Sequence, residues 1–270
     1  MFASLSRGWA MTKTSFKVLK LDKEILALPL MSAVLMVIAV VGLGFGAFGI
    51  GTDGGLLFYA ALFAIYVVVY AIAIFFNAAV IEMATIRFNG GDPVLKDGLK
   101  KSWSKLGRII QWAFVAATVG LIFRILRDQA KNNFLAHLVL GLMEGAWNIV
   151  TYFAVPIAVY RDVGPMQAIK GSTGLVKRTF GESLTGIVTT GLVFFLLGLL
   201  GLIPFFLGIL MGGAFGLVLM ALAVVYWIAL SATNVAIDGI LVAALYKYAN
   251  EGVLPQAFRD QGVQAADVAW

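Results

Sequence analysis

The sequence contains no cysteine and a single histidine, His137. Without cysteine the chain forms no disulfide, thiolate metal site or cysteine nucleophile, and one histidine excludes a histidine metal cluster within one chain. No nucleotide-binding loop, serine nucleophile elbow or HExxH motif occurs either. We therefore predict no catalytic residue, no metal and no cofactor.

Charge is also scarce, because charged residues make up 13% of the 270 residues and hydrophobic residues 61%. That charged share is about half of what soluble domains carry. A lipid-embedded helix, by contrast, needs only about 20 apolar residues and satisfies its own backbone hydrogen bonds. The apolar runs are continuous rather than alternating, which excludes an outer-membrane barrel. The composition predicts an all-α polytopic membrane protein.

Six apolar stretches are long enough to cross a membrane. They cover residues 26–50, 55–87, 109–126, 137–160, 184–210 and 213–247. Short connections within the first and third pairs require antiparallel neighbours, and a proline-marked segment follows each pair, at Pro93, Pro165 and Pro255. We therefore predict one membrane domain, 1–270, built from three tandem helical hairpins. Its pseudo-repeats are 1–91, 92–163 and 164–254, with a tail at 255–270.

The orientation follows from the lysines and arginines. If the N-terminus is cytoplasmic, 17 of the 20 basic residues lie in cytoplasmic segments, and Arg124, Arg127 and Lys131 are the exceptions. This asymmetry is a strong positive-inside signal and places both termini in the cytoplasm. Because the net charge of +6 is dispersed along membrane-flanking segments, it predicts lipid contact rather than nucleic-acid binding.

An amphipathic helix is predicted before each hairpin. Apolar residues at three-and-four spacing form one face in 2–19, with Thr12 as a break, and again in 95–110 and 166–180. Such a helix lies in the interface, with its basic face at anionic headgroups. The predicted headgroup contacts are Lys13, Lys17, Lys100, Lys101, Lys105, Arg108, Lys170 and Lys177. The competing interpretation is a structural collar that fixes hairpin orientation and binds no particular lipid.

Polar residues inside the spans are the other candidates. Asn77, Asn148 and Asn234 lie on the second helix of their hairpins, 10, 13 and 13 residues before the basic end. At about 1.5 Å per residue this depth is near mid-membrane. Glu144 and Asp238 lie one turn from the second and third asparagines. We predict that these five residues form one polar midplane cluster, either as interhelical hydrogen bonds or as a path for a solute or cation.

Glycine and proline mark close packing and a kink. Gly208, Gly212 and Gly216 recur at four-residue spacing, which lets helix backbones approach closely. Pro204 is expected to kink the fifth span.

The opening segment, residues 15–25 (SFKVLKLDKEI), with Pro29 just inside the first span, resembles an uncharacterised family of prokaryotic six-span membrane proteins. The alternation of short helix and hairpin is similar, more loosely, to the membrane domain of glycerophosphodiester phosphodiesterases. The resemblance implies a prokaryotic cytoplasmic (inner) membrane and brings neither an activity nor a catalytic residue.

Three functions fit these features. The first is a non-enzymatic membrane scaffold, assembly factor or lipid-organising component. It uses a basic collar, by which we mean the eight predicted headgroup-contact residues. The second is a transporter or channel for a small solute or ion, and the third an intramembrane enzyme acting on lipid. We expect the first, with anionic membrane lipid as the partner and a further copy of the chain or another membrane protein as an additional one.

Overall fold

The computed structural model describes residues 2–48, 55–131, 133–178 and 180–260, and every regular element within them is helical. The α-helices are α1 (Phe2–Leu21), α2 (Ala27–Phe48), α3 (Leu56–Phe88), α4 (Leu95–Ser104), α5 (Leu106–Ala130), α6 (Phe134–Val150), α7 (Ala154–Tyr160), α8 (Pro165–Arg178), α9 (Phe180–Leu200), α10 (Leu202–Met211), α11 (Gly213–Glu251) and α12 (Gln256–Arg259). A short 3-10 helix, Lys23–Leu26, precedes α2.

Six helical stretches are long and apolar enough to cross a membrane. They are Lys23–Phe45, Leu56–Phe88, Leu106–Ala130, Phe134–Tyr160, Val188–Met211 and Gly213–Glu251. The prediction of an all-α chain with six apolar segments of spanning length is therefore confirmed. The three-hairpin arrangement remains a prediction, and the connection at 49–54 lies outside the described residues.

Two of the predicted spans are interrupted, and each interruption precedes a proline. In the fourth span α6 ends at Val150 and α7 begins at Ala154, because Pro156 has no N–H to donate to the carbonyl four residues earlier. In the fifth, α9 and α10 are separated by Gly201, three residues before Pro204. The break before Pro204 agrees with the predicted kink, whereas the break before Pro156 was not expected.

The chain forms two compact units. One comprises Met1–Leu30, Ala84–Pro93 and Thr179–Trp270, and the other Met31–Met83 and Val94–Arg178. We call them the terminal unit and the central unit. Their boundaries do not coincide with those of the predicted pseudo-repeats.

In the terminal unit, α1 packs against α9 and α11. The hydroxyls of Thr12 and Thr190 are hydrogen-bonded at 2.8 Å, and the ring of Phe16 stacks on that of Phe194 with centroids 5.9 Å apart. The second contact lies four residues after the first on both α1 and α9, so the two helices run in the same direction. Thr12, predicted to interrupt an apolar face, instead lies at the centre of a buried contact.

The predicted lipid-facing side of α1 is therefore divided. Leu19 is buried, while Trp9 is 51% exposed and shares the outer side with Lys13 and Lys17. The side chains of Phe2 and Leu5 lie outside the described residues. Burial against neighbouring helices removes Leu19 from any lipid contact.

In the central unit, α4 and α8 each fold back along the preceding helix. The Ser102 hydroxyl on α4 donates to the carbonyl of Phe75 on α3 at 2.8 Å, and the backbone N–H of Phe153 donates to the Ser172 hydroxyl on α8 at 3.0 Å. Both serines are fully buried. Helix α4 also ends at Ser104, so the predicted amphipathic helix over 95–110 is wrong in its extent, since Lys105 has a non-helical φ of −115° and α5 begins at Leu106.

Candidate functional site

Five of the eight predicted headgroup residues are exposed. Lys13 and Lys17 lie on α1, Lys100 on α4, and Lys170 and Lys177 on α8. The other three, Lys101, Lys105 and Arg108, are only partly exposed and contact acidic residues of the protein.

Lys101 belongs to a three-residue group in the central unit. Its ammonium is 4.0 Å from the Glu82 carboxylate and 4.7 Å from the centre of the Tyr160 ring. The Tyr160 hydroxyl donates to Glu82 at 2.5 Å. Glu82 thus receives a hydrogen bond and a nearby positive charge, which compensates its partial burial.

Lys105 and Arg108 both face Asp162. The Lys105 ammonium is 3.4 Å from Asp162 Oδ1, and Arg108 Nε donates to the same oxygen at 3.1 Å. The hydrogen bond from Arg108, followed by that from Lys105, lowers the pKa of Asp162. Asp162 has a left-handed backbone, with φ at 54°, a conformation that aspartate tolerates better than most residues. These contacts partly neutralise Lys105 and Arg108 within the protein.

Lys100 is placed differently, at the edge of a groove on α4. The groove has a volume of about 660 Å³ and is lined by Phe75, Lys96, Leu99, Lys100, Trp103 and Ser104. Trp103 is 70% exposed and meets the Phe75 ring edge-on, with centroids 6.2 Å apart. Within the described residues, no acidic side chain forms an ion pair with Lys96 or Lys100. Two ammonium groups therefore border an apolar surface, which we call the α4 groove.

Lys96 was absent from the predicted headgroup contacts, although its spacing from Lys100 and Trp103 in the sequence indicates the same side of the helix. Lys96 and Lys100 are four residues apart, and Trp103 is seven residues after Lys96. On a helix this spacing puts all three side chains on one side.

A second feature of the central unit is a cavity between α3, α5 and α6, with a volume of about 550 Å³. From α3 it is lined by Tyr66 and Tyr70, and from α6 by Glu144, Trp147 and Asn148. From α5 it is lined by Ala116, Val119, Gly120, Phe123, Arg124, Arg127 and Asp128. We call it the α5 cavity. Its volume lies within the range of about 300–1,000 Å³ that is typical of small-molecule sites.

The charged residues of the α5 cavity are held to different degrees. Arg127 and Glu144 form a direct ion pair between α5 and α6. Arg124 is held more loosely, with its Nη1 3.5 Å from the Tyr66 hydroxyl and its Nε 3.9 Å from Asp128. The absence of a side chain at Gly120 makes room for Tyr70, because a Cβ there would lie 2.9 Å from the Tyr70 hydroxyl.

Of the five residues predicted to form a midplane cluster, Glu144 and Asn148 both line the α5 cavity. Asn77 is half-buried on α3 in the same unit. Asn234 and Asp238 are half-buried on α11 in the terminal unit. A single cluster of all five residues remains a prediction.

Arg124 and Arg127 were not predicted as site residues. The sequence nevertheless marks them, because they are two of the three basic residues that depart from the predicted positive-inside pattern. An arginine with no topological role inside an apolar segment is costly, and a polar partner or an aqueous cavity offsets that cost.

The chain belongs to a family of unknown function, DUF6159, whose model matches residues 56–255. The predicted resemblance to an uncharacterised membrane family is confirmed, although the opening segment 15–25 lies outside the matched region. No curated protein matches the chain. The match gives no support to the looser similarity to glycerophosphodiester phosphodiesterases.

Proposed function

We propose that the protein is a non-enzymatic, multi-pass component of a prokaryotic cytoplasmic membrane that organises anionic lipid through its basic cytoplasmic collar. The α4 groove is the observation that supports this most directly. A phospholipid presents an anionic phosphate joined to apolar chains. The groove presents Lys96 and Lys100 beside the apolar surface of Leu99 and Trp103.

The magnitudes favour binding at this position. Each basic residue near an anionic membrane surface contributes about 1 kcal/mol, so two lysines increase the preference for an anionic over a neutral lipid by roughly 30-fold. Lys101, Lys105 and Arg108 contribute less because Glu82 and Asp162 already face them. Trp103 fits the same location, since tryptophan is enriched at the membrane interface.

The double substitution Lys96→Gln and Lys100→Gln is expected to lower the preference for phosphatidylglycerol over phosphatidylcholine by about tenfold or more. The measurement is quenching of tryptophan fluorescence by brominated phosphatidylglycerol in reconstituted vesicles. The Trp103→Phe variant identifies the part of the fluorescence quenching that comes from the groove, because the Trp103 ring is exposed there.

The matched control is Lys170→Gln with Lys177→Gln, which removes the same charge from exposed lysines on α8. It should leave quenching of Trp103 nearly unchanged. Equal losses for the two double variants would show diffuse attraction to the membrane and contradict a specific groove.

The proposed orientation, with both termini and α4 on the cytoplasmic side, has its own test. Because the chain has no cysteine, single cysteines replacing Asp53 and Lys101 can each be labelled alone. We expect an impermeant maleimide added to intact cells to label the first and not the second. Labelling of both positions from one side would overturn the orientation.

The proposal includes three hairpins, each introduced by an amphipathic interfacial helix. Similar folding back of α4 and α8 through a buried serine supports a repeated unit. The exposed Trp103 and Met166, on α4 and α8, support a lipid-facing side for these two helices. Self-association, or association with another membrane protein, would use the remaining apolar surface.

Transport of a small solute or ion is the second candidate, and the α5 cavity with Glu144 and Asn148 favours it. Flux into reconstituted vesicles distinguishes the two functions. Uptake above that of empty vesicles, lost on substitution of Glu144, would favour transport over lipid organisation.

A further inference from the structure

The wall of the α5 cavity changes from charged to apolar along one helix. Arg124, Arg127 and Asp128 lie within the last two turns of α5, whereas Ala116, Val119 and Gly120 precede them on the same helix. At about 1.5 Å per residue, the eight steps along the helix from Ala116 to Arg124 cover about 12 Å. The cavity therefore suits a molecule that is charged at one end and apolar at the other.

Only one of its two guanidinium groups is loosely held. Arg127 is committed to the Glu144 carboxylate. The Nε of Arg124 is 3.9 Å from the Asp128 carboxylate, one turn away, and its Nη1 is 3.5 Å from the Tyr66 hydroxyl. An exposed pair of this spacing contributes little, and it is readily displaced by a better acceptor. A guanidinium fork is matched to the oxygens of a phosphate or carboxylate.

Four aromatic rings and the amide of Asn148 also line the cavity. Tyr66 and Tyr70 meet edge-on with ring centroids 6.3 Å apart, and Trp147 is fixed by stacking on Trp112 at 6.3 Å. Phe123 lines the same space. Flat, partly immobilised rings bind an apolar body at low entropic cost. The Tyr66 hydroxyl, already near Arg124, is positioned to donate a hydrogen bond to the same anion.

We infer that the α5 cavity binds an organic anion, a phosphate or carboxylate group attached to an apolar body, with Arg124 holding the anion and the aromatic wall holding the body. The same chemistry is present in an anionic lipid and in a soluble organic phosphate. This site is separate from the α4 groove in its residues, so it stands or falls independently of the lipid-organising function.

The probe is phenyl phosphate, titrated calorimetrically into the full chain in neutral detergent, because its charge keeps it out of the micelles. We expect saturable binding that Arg124→Gln weakens by about tenfold or more, as expected for the loss of a charge-assisted hydrogen bond. Asp128→Asn should tighten binding, since it removes the acid that competes for Arg124. These opposite shifts cannot both arise from misfolding.

Lys131→Gln is the matched control, because it removes a positive charge one turn beyond Arg127 from a residue that is not among the cavity's lining. It should leave binding nearly unchanged. Inorganic phosphate and phenol test the two halves of the ligand, and each should bind more weakly than phenyl phosphate. Equal losses for Lys131→Gln and Arg124→Gln, or tighter binding of phenyltrimethylammonium than of phenyl phosphate, would overturn the inference.

Two further arms identify the source of the anion. The titration is repeated in nanodiscs of phosphatidylcholine with and without phosphatidic acid. Competition by phosphatidic acid would assign the cavity to a lipid headgroup. Unchanged phenyl phosphate binding would assign it to a soluble anion.

Discussion

Asp22→Ala is expected to lower the free energy of unfolding by about 2–3 kcal/mol, because it leaves a partly buried arginine without its main partner. Asp22 follows α1 and its side chain is only 4% exposed. Arg87, near the end of α3, donates from Nε to Asp22 Oδ2 at 2.6 Å and from Nη2 to Asp22 Oδ1. This two-point contact connects α1 to the last turn of α3 within the terminal unit.

Asp92 provides the control, since it accepts from Arg87 as well but has a side chain that is 90% exposed. Exposed ion pairs contribute about 0–1 kcal/mol, so Asp92→Ala should cost much less than Asp22→Ala. The measurement is thermal unfolding in detergent, followed by circular dichroism for both variants. If the two unfolding midpoints fall equally, burial of Asp22 does not determine the strength of this contact.

The helices of the chain are predictable because apolar run length is a local property. Leu56–Phe88 and Gly213–Glu251 lie within a few residues of the predicted 55–87 and 213–247. Breaks depend on single residues whose effect varies with context, so Pro204 was recognised and Pro156 was not. The end of α4 at Ser104 was missed because Leu106 and Ile110 continue the apolar spacing into α5.

The surroundings of α1 were harder to predict, for a physical reason. Lipid and the interior of a membrane protein are about equally apolar, so apolar spacing does not distinguish a lipid-facing side from a protein-facing one. Polar residues carry that information instead. Thr12 and Ser15 are fully buried, and buried hydroxyls within an apolar side favour helix–helix contact over lipid.

For the candidate sites, too, single polar residues could be predicted from the sequence, whereas their pairings across helices could not. Glu144 and Asn148 were found from their depth, because a polar residue in an apolar run is visible in the sequence. The pairing of Glu144 with Arg127 joins residues on two helices, and no local pattern specifies it. Which lysines remain available for lipid likewise depends on Glu82 and Asp162, which are distant in sequence from the collar residues that they contact.

Gly216→Ala is expected to destabilise the terminal unit by about 2–3 kcal/mol, at the upper end of the cost of overpacking. The backbones of α10 and α11 approach closely at this point, because a Cβ on Gly216 would overlap the Gly208 carbonyl oxygen. A Cβ on Gly208 would in turn lie 2.7 Å from the Gly216 carbonyl oxygen. Neither backbone yields without moving a whole helix, so Gly208→Ala should have a similar effect.

Gly198→Ala is the matched substitution on α9, where the nearest atom to an added Cβ is the flexible end of Leu230 at 3.9 Å. That contact is ordinary, and alanine favours the helix by up to about 1 kcal/mol over glycine. Gly198→Ala should therefore be neutral or stabilising when unfolding is measured in the same detergent. Equal stability of Gly216→Ala and Gly198→Ala would mean that α10 and α11 are not held by backbone contact, and the four-residue glycine spacing would then need another explanation.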